Sequence, residues 1–424
     1  MSGFVGACAG GPRPGSVTPV EIPTLKAQAA QQPTNAQVRF RLAAALLAAG
    51  RCDTAVVVAN SAQVLAPKDV LGPMVIGKCQ EQDGRFDLAY ATYTDFARRY
   101  PQARGLAAVR ALADMALRAQ AAQNAKLALA RESTVTTLAP EPSTIAVLPV
   151  TIAGDSSLQP LSRGLAELIT TDLAYVRNLR LLERVQVGAL LDELNLGASG
   201  RADPATAARV GRLLRAERMV QGVAAITENG PVRMSATVVR GDGEVRAGAR
   251  VDGTFKQLLD LEKQLVFSIA TQLSIQVTEA ERQQILRQGP KNLAAFLAYS
   301  EGLEAMDRGD YHGAAAAFNA AVRADPSFSA AQQQQQAAAA SPAVQASAGD
   351  LVSVVEAAAQ IPLPGEPASL GALQQGTTDV SQTIGDVTAQ TGVTFVANNP
   401  TIESQGITNI VQASGVIRII FKRP

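Results

Sequence analysis

A 34-residue spacing between similar residues is the feature of this sequence that most restricts its fold. Four pairs lie at this offset: Gly50 and Gly84, Ala55 and Ala89, Ala59 and Tyr93, and Pro67 and Pro101. A period of this length indicates stacked helical units. Each unit is predicted to be two helices, with Gly at the tight turn, Ala where the helices touch and Pro after the second helix.

These units resemble tetratricopeptide (TPR) repeats. In the second unit the residues at the TPR positions for Gly, Gly, aromatic, Ala, aromatic and Pro are Gly77, Gly84, Phe86, Ala89, Tyr93 and Pro101. The first unit departs from the pattern, because Cys52 replaces the aromatic residue and Ala43 and Ala59 replace the second small and the large packing residue. Residues 103–131 are predicted to cap this stack.

A further unit with the same internal spacing occurs much later in the chain. Its residues are Gly302, Gly309, Tyr311, Ala314, Phe318, Ala321 and Pro326. A lone unit cannot bury both of its faces, so it is expected to pack on a neighbouring domain or on the first array.

The TPR resemblance implies a concave groove lined by the first helix of each unit. The candidate groove residues are Gln37, Phe40, Leu47, Leu71, Met74, Lys78 and Glu81. They could hold a peptide or a partner helix. The alternative is that they face only solvent or a neighbouring domain.

The same resemblance brings Cys52 close to Cys79, because in stacked TPR units the start of one second helix lies near the end of the next first helix. If the protein is exported, these residues are predicted to form a disulfide, which needs Cα atoms within roughly 7 Å. The alternative is two small buried apolar side chains.

The middle of the chain has the pattern of an α/β domain. An apolar strand is predicted at 143–150, an amphipathic helix at 161–173, a short strand at 179–183, and helices at 185–194 and 204–214. Three strands follow at 219–226, 232–240 and 245–255. Asn229-Gly230 and Asp242-Gly243 lie between them, which predicts an antiparallel meander. A helix at 256–275 is expected to cover one face.

The strings AVLPV, GLAELITTDL, RLLERVQVGALLDELNLGASG and DPATAARVGRLLRAERMVQG, with the two hairpins after them, resemble the curli-assembly (CsgG-like) family. That family is related to the amino-terminal domain of TolB-type proteins, and the resemblance covers residues 143–280. It implies a small α/β sandwich in the periplasm and allows a homo-oligomer. The type member forms an outer-membrane channel, but the 37 residues from Met219 to Phe255 leave no room for added membrane hairpins.

The amino terminus carries a possible lipid-attachment site. Val5-Gly6-Ala7-Cys8 resembles a lipobox, which makes Cys8 the candidate for lipidation and for anchoring to the outer membrane. Too few residues precede it for a complete signal peptide, so this interpretation expects a start codon upstream of Met1. The alternative is a Gly/Pro-rich tail without function, and residues 1–32 form a flexible tether in both cases.

Composition and side-chain chemistry argue against several functions. With 38 basic and 37 acidic residues, no nucleic-acid partner is indicated. The single histidine, His312, lies in a predicted TPR turn facing solvent, and three scattered cysteines have no metal-ligand spacing. No catalytic, metal-binding or cofactor-binding residue is predicted, and Glu183-Arg184 is interpreted as surface ion pairing. The sequence therefore favours a protein that is not an enzyme.

The predicted fold is multidomain, with α and α/β parts. It has a TPR α-solenoid at 33–132, the CsgG-like α/β sandwich at 143–280, an isolated TPR unit at 290–330, an Ala/Gln-rich linker at 331–350, and a segment with short strands at 351–424. In that segment a helix is expected at 351–359 and strands at 392–396 and 415–422.

The expected function is a periplasmic, outer-membrane-anchored scaffold that contacts other envelope proteins or peptides through its TPR surfaces. Two alternatives remain, a subunit of a curli-type secretion channel and a cytoplasmic TPR regulator whose α/β domain senses a ligand.

Overall fold

A computed structural model describes residues 17–195, 203–345, 350–358, 407–413 and 416–421. The chain divides into two units, residues 1–366 and residues 367–424. In the second unit the described residues form an antiparallel hairpin of β7 (Ile407–Ala413) and β8 (Val416–Phe421). The strand predicted at 415–422 is β8, whereas β7 was not predicted and the strand expected at 392–396 lies outside the described residues.

The first part of the larger unit consists of helices. Their bounds are α1 (Ile22–Gln31), α2 (Ala36–Ala48), α3 (Cys52–Leu65), α4 (Leu71–Gln82), α5 (Phe86–Arg99), α6 (Leu106–Ala130) and the short α7 (Glu132–Val135). They include residues 22–31, so the prediction of a flexible tether is wrong there: Ile22 and Leu25 are buried in the cluster that these helices form. The pairs α2–α3 and α4–α5 are helical hairpins. Gly50 and Gly84 lie at their turns with φ of +68° and +72°, a left-handed conformation that glycine adopts without strain. The 34-residue spacing therefore predicted both hairpins and their turns.

Small residues allow the two helices of a hairpin to approach closely. A Cβ atom on Gly77 in α4 would overlap the ring of Tyr93 in α5. The same contact recurs in the later hairpin, where Gly302 faces the ring of Phe318. Tyr93 and Phe318 are both fully buried by this packing.

We expect Gly77→Ala to lower the free energy of unfolding by roughly 1–3 kcal/mol, because the added methyl group forces the Tyr93 ring away from α4. Gly188→Ala is the matched control, since Gly188 is also inside a helix but has open space around its Cα. That change is expected to stabilise the protein by up to about 1 kcal/mol through helix propensity. Chemical denaturation measures both, and equal effects of the two variants would contradict the packing argument.

The middle of the larger unit is a mixed β-sheet. Its strands are β1 (Glu141–Val147), β2 (Thr151–Gly154), β3 (Arg180–Leu181), β4 (Ala216–Ile226), β5 (Pro231–Arg240) and β6 (Val245–Thr254). The order is β3-β1-β4-β5-β6, and β2 also pairs with β4. Strands β1, β2 and β3 run parallel to their partners, while β4, β5 and β6 form the predicted antiparallel meander.

The strand predicted at 143–150 is β1, which ends three residues earlier and is followed by a second strand, β2, that was not predicted. β1 ends at Val147 and β2 begins at Thr151, and both pair with β4. Pro149 lies between them and has no N–H group to donate to a neighbouring strand. The apolar run identified the buried segment but not its interruption.

Helices cover both faces of this sheet. One face packs against α8 (Leu161–Leu173) and α11 (Leu258–Gln272), and the other against α9 (Arg184–Glu193) and α10 (Pro204–Leu214). Asp203 caps α10 as its position before Pro204 suggests, because its side chain accepts a hydrogen bond from the backbone N–H of Thr206.

The remaining helices return to both earlier parts of the unit. They are α12 (Glu279–Arg287), α13 (Leu293–Asp307), α14 (Tyr311–Ala324), α15 (Ser329–Val344) and α16 (Leu351–Ala358). The hairpin α13–α14 is the late repeat unit. As expected of a lone unit, it packs on its neighbours: α13 contacts α8, and α15 contacts both α14 and α6.

The prediction of a linker at 331–350 is wrong for most of that segment. Residues 331–344 belong to α15, where Ala331, Ala338 and Ser341 are buried. Gln336 is also buried and accepts a hydrogen bond from Arg110 in α6 at 2.9 Å. An Ala/Gln-rich composition is typical of linkers, but small side chains also suit a helix that packs closely between two others.

Candidate functional site

Helix α16 lies on the first helices of the amino-terminal hairpins. It contacts α2, α4 and α6, and we call the surface that these three helices form toward α16 the groove. Leu351 and Val354 of α16 are buried there, and Val352 is 9% exposed. Val355 lies opposite Gly105, just before α6. The groove is thus covered by a segment of the same chain.

Four of the seven predicted groove residues do not line an open surface. Phe40, Leu47, Leu71 and Met74 are at most 3% exposed and belong to the same buried cluster as Leu351 and Val354. Their prediction as available contact residues is corrected, because they are buried in the cluster that the hairpin helices form together with α16. The TPR resemblance located these side chains on one surface but carried no information about a distant helix covering it.

The other three predicted residues are polar and lie at less buried positions. Gln37 is exposed and donates a hydrogen bond to Asp69 at 2.7 Å. Lys78 and Glu81 are partly exposed and form an ion pair at 2.8 Å, and Glu81 also accepts a hydrogen bond from Tyr93. These residues can contribute polar contacts beside an apolar groove.

A cavity of about 620 Å³ opens next to α16. It is lined by residues 66–70 and by Tyr100, Gln102, Ala103 and Arg104, together with Val355 of α16. The two loops follow the second helices of the two hairpins. Unfilled space therefore lies beside Val355 of α16.

Cys52 and Cys79 are joined by a disulfide, with a Cα–Cα distance of 5.4 Å. Cys52 begins α3 and Cys79 lies in the last turn of α4, so the bond links the two hairpins. Val5–Cys8, the other cysteine motif, lies outside the described residues.

A cluster of charges around the buried Arg184 joins the three parts of the larger unit. Asp307, the last residue of α13, accepts hydrogen bonds from Arg118 of α6 at 2.9 Å, Arg163 of α8 at 2.7 Å and Arg184 of α9 at 2.6 Å. Arg184 also donates to Glu167 at 3.1 Å. We call these five residues the Asp307 cluster.

The arginines of the Asp307 cluster stabilise the charged form of its carboxylate. A carboxylate at the carboxyl end of a helix is unfavourable, because that end of the helix dipole is negative. Burial alone would raise the pKa of Asp307, but ion pairing with Arg184 and Arg118 outweighs it and holds the pKa of Asp307 well below its usual range. Arg184 is only 6% exposed, so its interpretation as a surface ion pair is wrong.

A second group of buried charges lies between α8 and α11. Asp172 of α8 forms an ion pair with Lys263 of α11, and Glu262 is completely buried beside them. Among the described residues, neither carboxylate oxygen of Glu262 has a hydrogen-bond partner, although Oε2 lies 3.5 Å from Lys263 Nζ. Burial, together with the charge of Asp172, raises the pKa of Glu262 to about 8.

The positions of the two acids along the sequence indicate that both are buried. Asp172 follows Leu165 and Leu168 at helical spacing, and Glu262 lies four residues after Leu258 and three before Leu265. Both acids therefore occupy the apolar stripe of an amphipathic helix, a position that calls for a partner or a proton.

The structure places the single histidine and the acidic side chains that sequence reasoning considered for chemistry. His312 is exposed at the start of α14, as predicted. Among the described residues no three His, Cys, Asp or Glu side chains are grouped as metal ligands. Within the same residues, no helix is both long and apolar enough to cross a membrane.

The family model of the curli production assembly/transport component CsgG matches residues 118–237. The match covers well under half of the chain. It begins inside α6 and ends in β5, so it starts earlier and stops earlier than the predicted domain at 143–280. Arg118, Arg163 and Arg184 of the Asp307 cluster lie within it. The chain has no match among curated proteins.

Proposed function

We propose that this protein is a non-enzymatic scaffold of the cell envelope. In this role it faces the periplasm, is anchored at the outer membrane through a lipid on Cys8, and mediates protein contacts in an envelope or secretion assembly. The CsgG-like α/β domain is the attachment to that assembly, and the helical hairpins are TPR units that recruit partners.

The observation that carries this proposal is the way the helical hairpins are joined to the family-matched domain. Helix α6 belongs to both, because its first half packs with α4 and α5 and its second half packs on α9. Asp307 adds the later hairpin to the same junction. A scaffold needs its binding surface held rigidly on its attachment domain, and this junction supplies that.

The Cys52–Cys79 disulfide supports an extracytoplasmic location. Structural disulfides persist in oxidising compartments and are rare in the bacterial cytoplasm. The bond therefore favours the envelope over the alternative of a cytoplasmic regulator that senses a ligand.

A subunit of a curli-type secretion channel is the second candidate, and it rests on the match to the curli production assembly/transport family. The connections between β4 and β5 and between β5 and β6 are turns at 227–230 and 241–244. The sheet thus has no inserted segment at those two turns. That favours the scaffold over the channel.

The experiment measures two properties in cells that make the protein: whether its cysteines are free or oxidised, and in which cell fraction it is found. Cells are blocked with a thiol reagent before lysis, and the protein is then fractionated with and without globomycin. We expect Cys52 and Cys79 to be protected as a disulfide, the protein to pellet with membranes, and Cys8→Ala to release it from them. Cys52→Ala is the control that retains the anchor.

Free thiols in a soluble, unprocessed protein would overturn the envelope proposal in favour of the cytoplasmic regulator. Rings with a membrane belt, seen by particle imaging in detergent, would replace the scaffold by the channel subunit.

A further inference from the structure

Helix α16 occupies the groove, and its side chains indicate which other helices can bind there. Four aliphatic side chains of α16, at Leu351, Val352, Val354 and Val355, lie at positions i, i+1, i+3 and i+4 of the helix. This spacing places them on one face, and that face is turned to α2, α4 and α6. The groove therefore fits a short helix with a narrow aliphatic stripe.

Helix α16 depends on the groove for its conformation. It has eight residues, which is fewer than the roughly 12–15 that an isolated helix needs to be stable in water. The free energy of docking is therefore partly spent on ordering the helix. A longer helix that is already ordered on its own does not have this cost, so it has an advantage over α16 for the same surface.

The surroundings of α16 provide room for a longer occupant. The cavity of about 620 Å³ beside Val355 borders the loops at 66–70 and 100–104. Lys68, Asp69 and Arg104 lie on its wall and offer both signs of charge to polar side chains of the incoming helix.

From these observations we propose that α16 is an intramolecular occupant of a partner-binding groove, and that an amphipathic partner helix with the same aliphatic pattern displaces it. The proposal rests on the scaffold function and names both the partner class and its regulation. The protein is closed when α16 fills the groove and open to its partner when α16 leaves.

The probe is a fluorescein-labelled peptide of about 16 residues, built of Ala, Glu and Lys, with Leu, Val, Val and Val at the spacing of 351, 352, 354 and 355. A peptide with Asp at the first and third of these positions is the control. An occupant in the same chain acts at an effective concentration on the order of millimolar, so the wild-type protein should bind the probe weakly.

The full chain carrying Leu351→Asp and Val354→Asp should bind the probe at least ~10-fold more tightly than the wild type, because α16 no longer competes. Val64→Asp is the matched control, since Val64 is 81% exposed on α3. It should leave probe binding at the wild-type level. The double variant Leu351→Ala and Val354→Ala should bind the probe with an affinity between those of the wild type and the Asp variant. If the Asp variant loses its helical circular dichroism, the Ala variant is used for the test instead.

Equal affinity of the wild type and a folded variant, or no binding to either, would overturn the proposal. A wild-type dimer that forms with rising concentration, and that the Asp substitutions abolish, would also overturn it by assigning α16 to the groove of a second copy. Neither result depends on where the protein resides. The cell fractionation therefore tests the scaffold function separately from this binding experiment.

Discussion

Replacing Asp307 by Asn is expected to lower the free energy of unfolding by roughly 3–5 kcal/mol at neutral pH. Asn is nearly the same size, so the change removes charge and not volume. It leaves the buried Arg184 with Glu167 as its remaining charged partner. It also replaces the charged acceptor of Arg163 and Arg118 by a neutral amide, although Arg118 keeps its ion pair with Asp114. Breaking a buried ion pair on one side is costly because an uncompensated charge stays inside the protein.

The difference in unfolding free energy between wild type and Asp307→Asn should become smaller as pH falls. Because the folded protein holds the pKa of Asp307 below its value in the unfolded chain, the stabilising contribution is present above the unfolded pKa, near 4, and is lost as pH falls further. Chemical denaturation at several pH values should therefore show wild type and variant converging in acid.

Asp95→Asn is the matched control for this experiment. Asp95 pairs with Arg98 on α5, but both side chains are largely exposed. Its loss should change the free energy of unfolding by less than about 1 kcal/mol. If Asp307→Asn were as mild as Asp95→Asn, the cluster would not join the three parts of the unit energetically.

We expect the wild-type protein to become less stable as pH rises toward 8, and the Glu262→Gln variant to lose much less stability over the same range. The pKa of Glu262 is raised in the folded protein, to about 8, above its value in the unfolded chain. The folded state therefore binds one more proton than the unfolded state between these values. The contribution of Glu262 to stability is therefore greatest below its unfolded pKa and falls as pH rises toward 8, by roughly 2–5 kcal/mol at about 1.4 kcal/mol per pKa unit.

The amide that Glu262→Gln introduces is neutral at every pH and can donate a hydrogen bond to Asp172. Burial also raises the pKa of Asp172, to about 6, so the variant still loses some stability as Asp172 ionises. We expect its free energy of unfolding to be nearly constant between pH 7 and 8, and to exceed that of the wild type at pH 8. Glu193→Gln, at an exposed position on α9, should behave as the wild type does. A wild-type protein with constant stability over this range would show that Glu262 is already compensated when ionised.

The sequence predicted most of the helices and strands, and the reasons are local. The 34-residue spacing determines the hairpins α2–α3 and α4–α5, because Gly and Ala report helix contacts directly. Asn229-Gly230 and Asp242-Gly243 mark the turns between β4, β5 and β6 in the same way. Periodicity and turn chemistry are properties of neighbouring residues, so they can be read from one sequence.

The features that were missed involve residues far apart in the chain. Arg118 and Asp307 are separated by most of the α/β domain, and each has the appearance of a solvated charge within its own helix. Phe40 and Met74 share a buried cluster with Leu351 of α16, which lies close to 300 residues later. No local pattern records such pairings. The interpretation of 331–350 as a linker failed for the same reason.

The contact between α15 and α6 has a consequence for how the chain folds. Arg110 and Gln336 meet across 226 positions, and Ala340 and Val344 complete the same apolar cluster as the amino-terminal hairpins. During synthesis those hairpins emerge first, but their core closes only after residue 344 has left the ribosome. High contact order of this kind slows folding and leaves apolar surface exposed in the meantime. Chaperone dependence is therefore expected of the nascent amino-terminal part rather than of the α/β sheet.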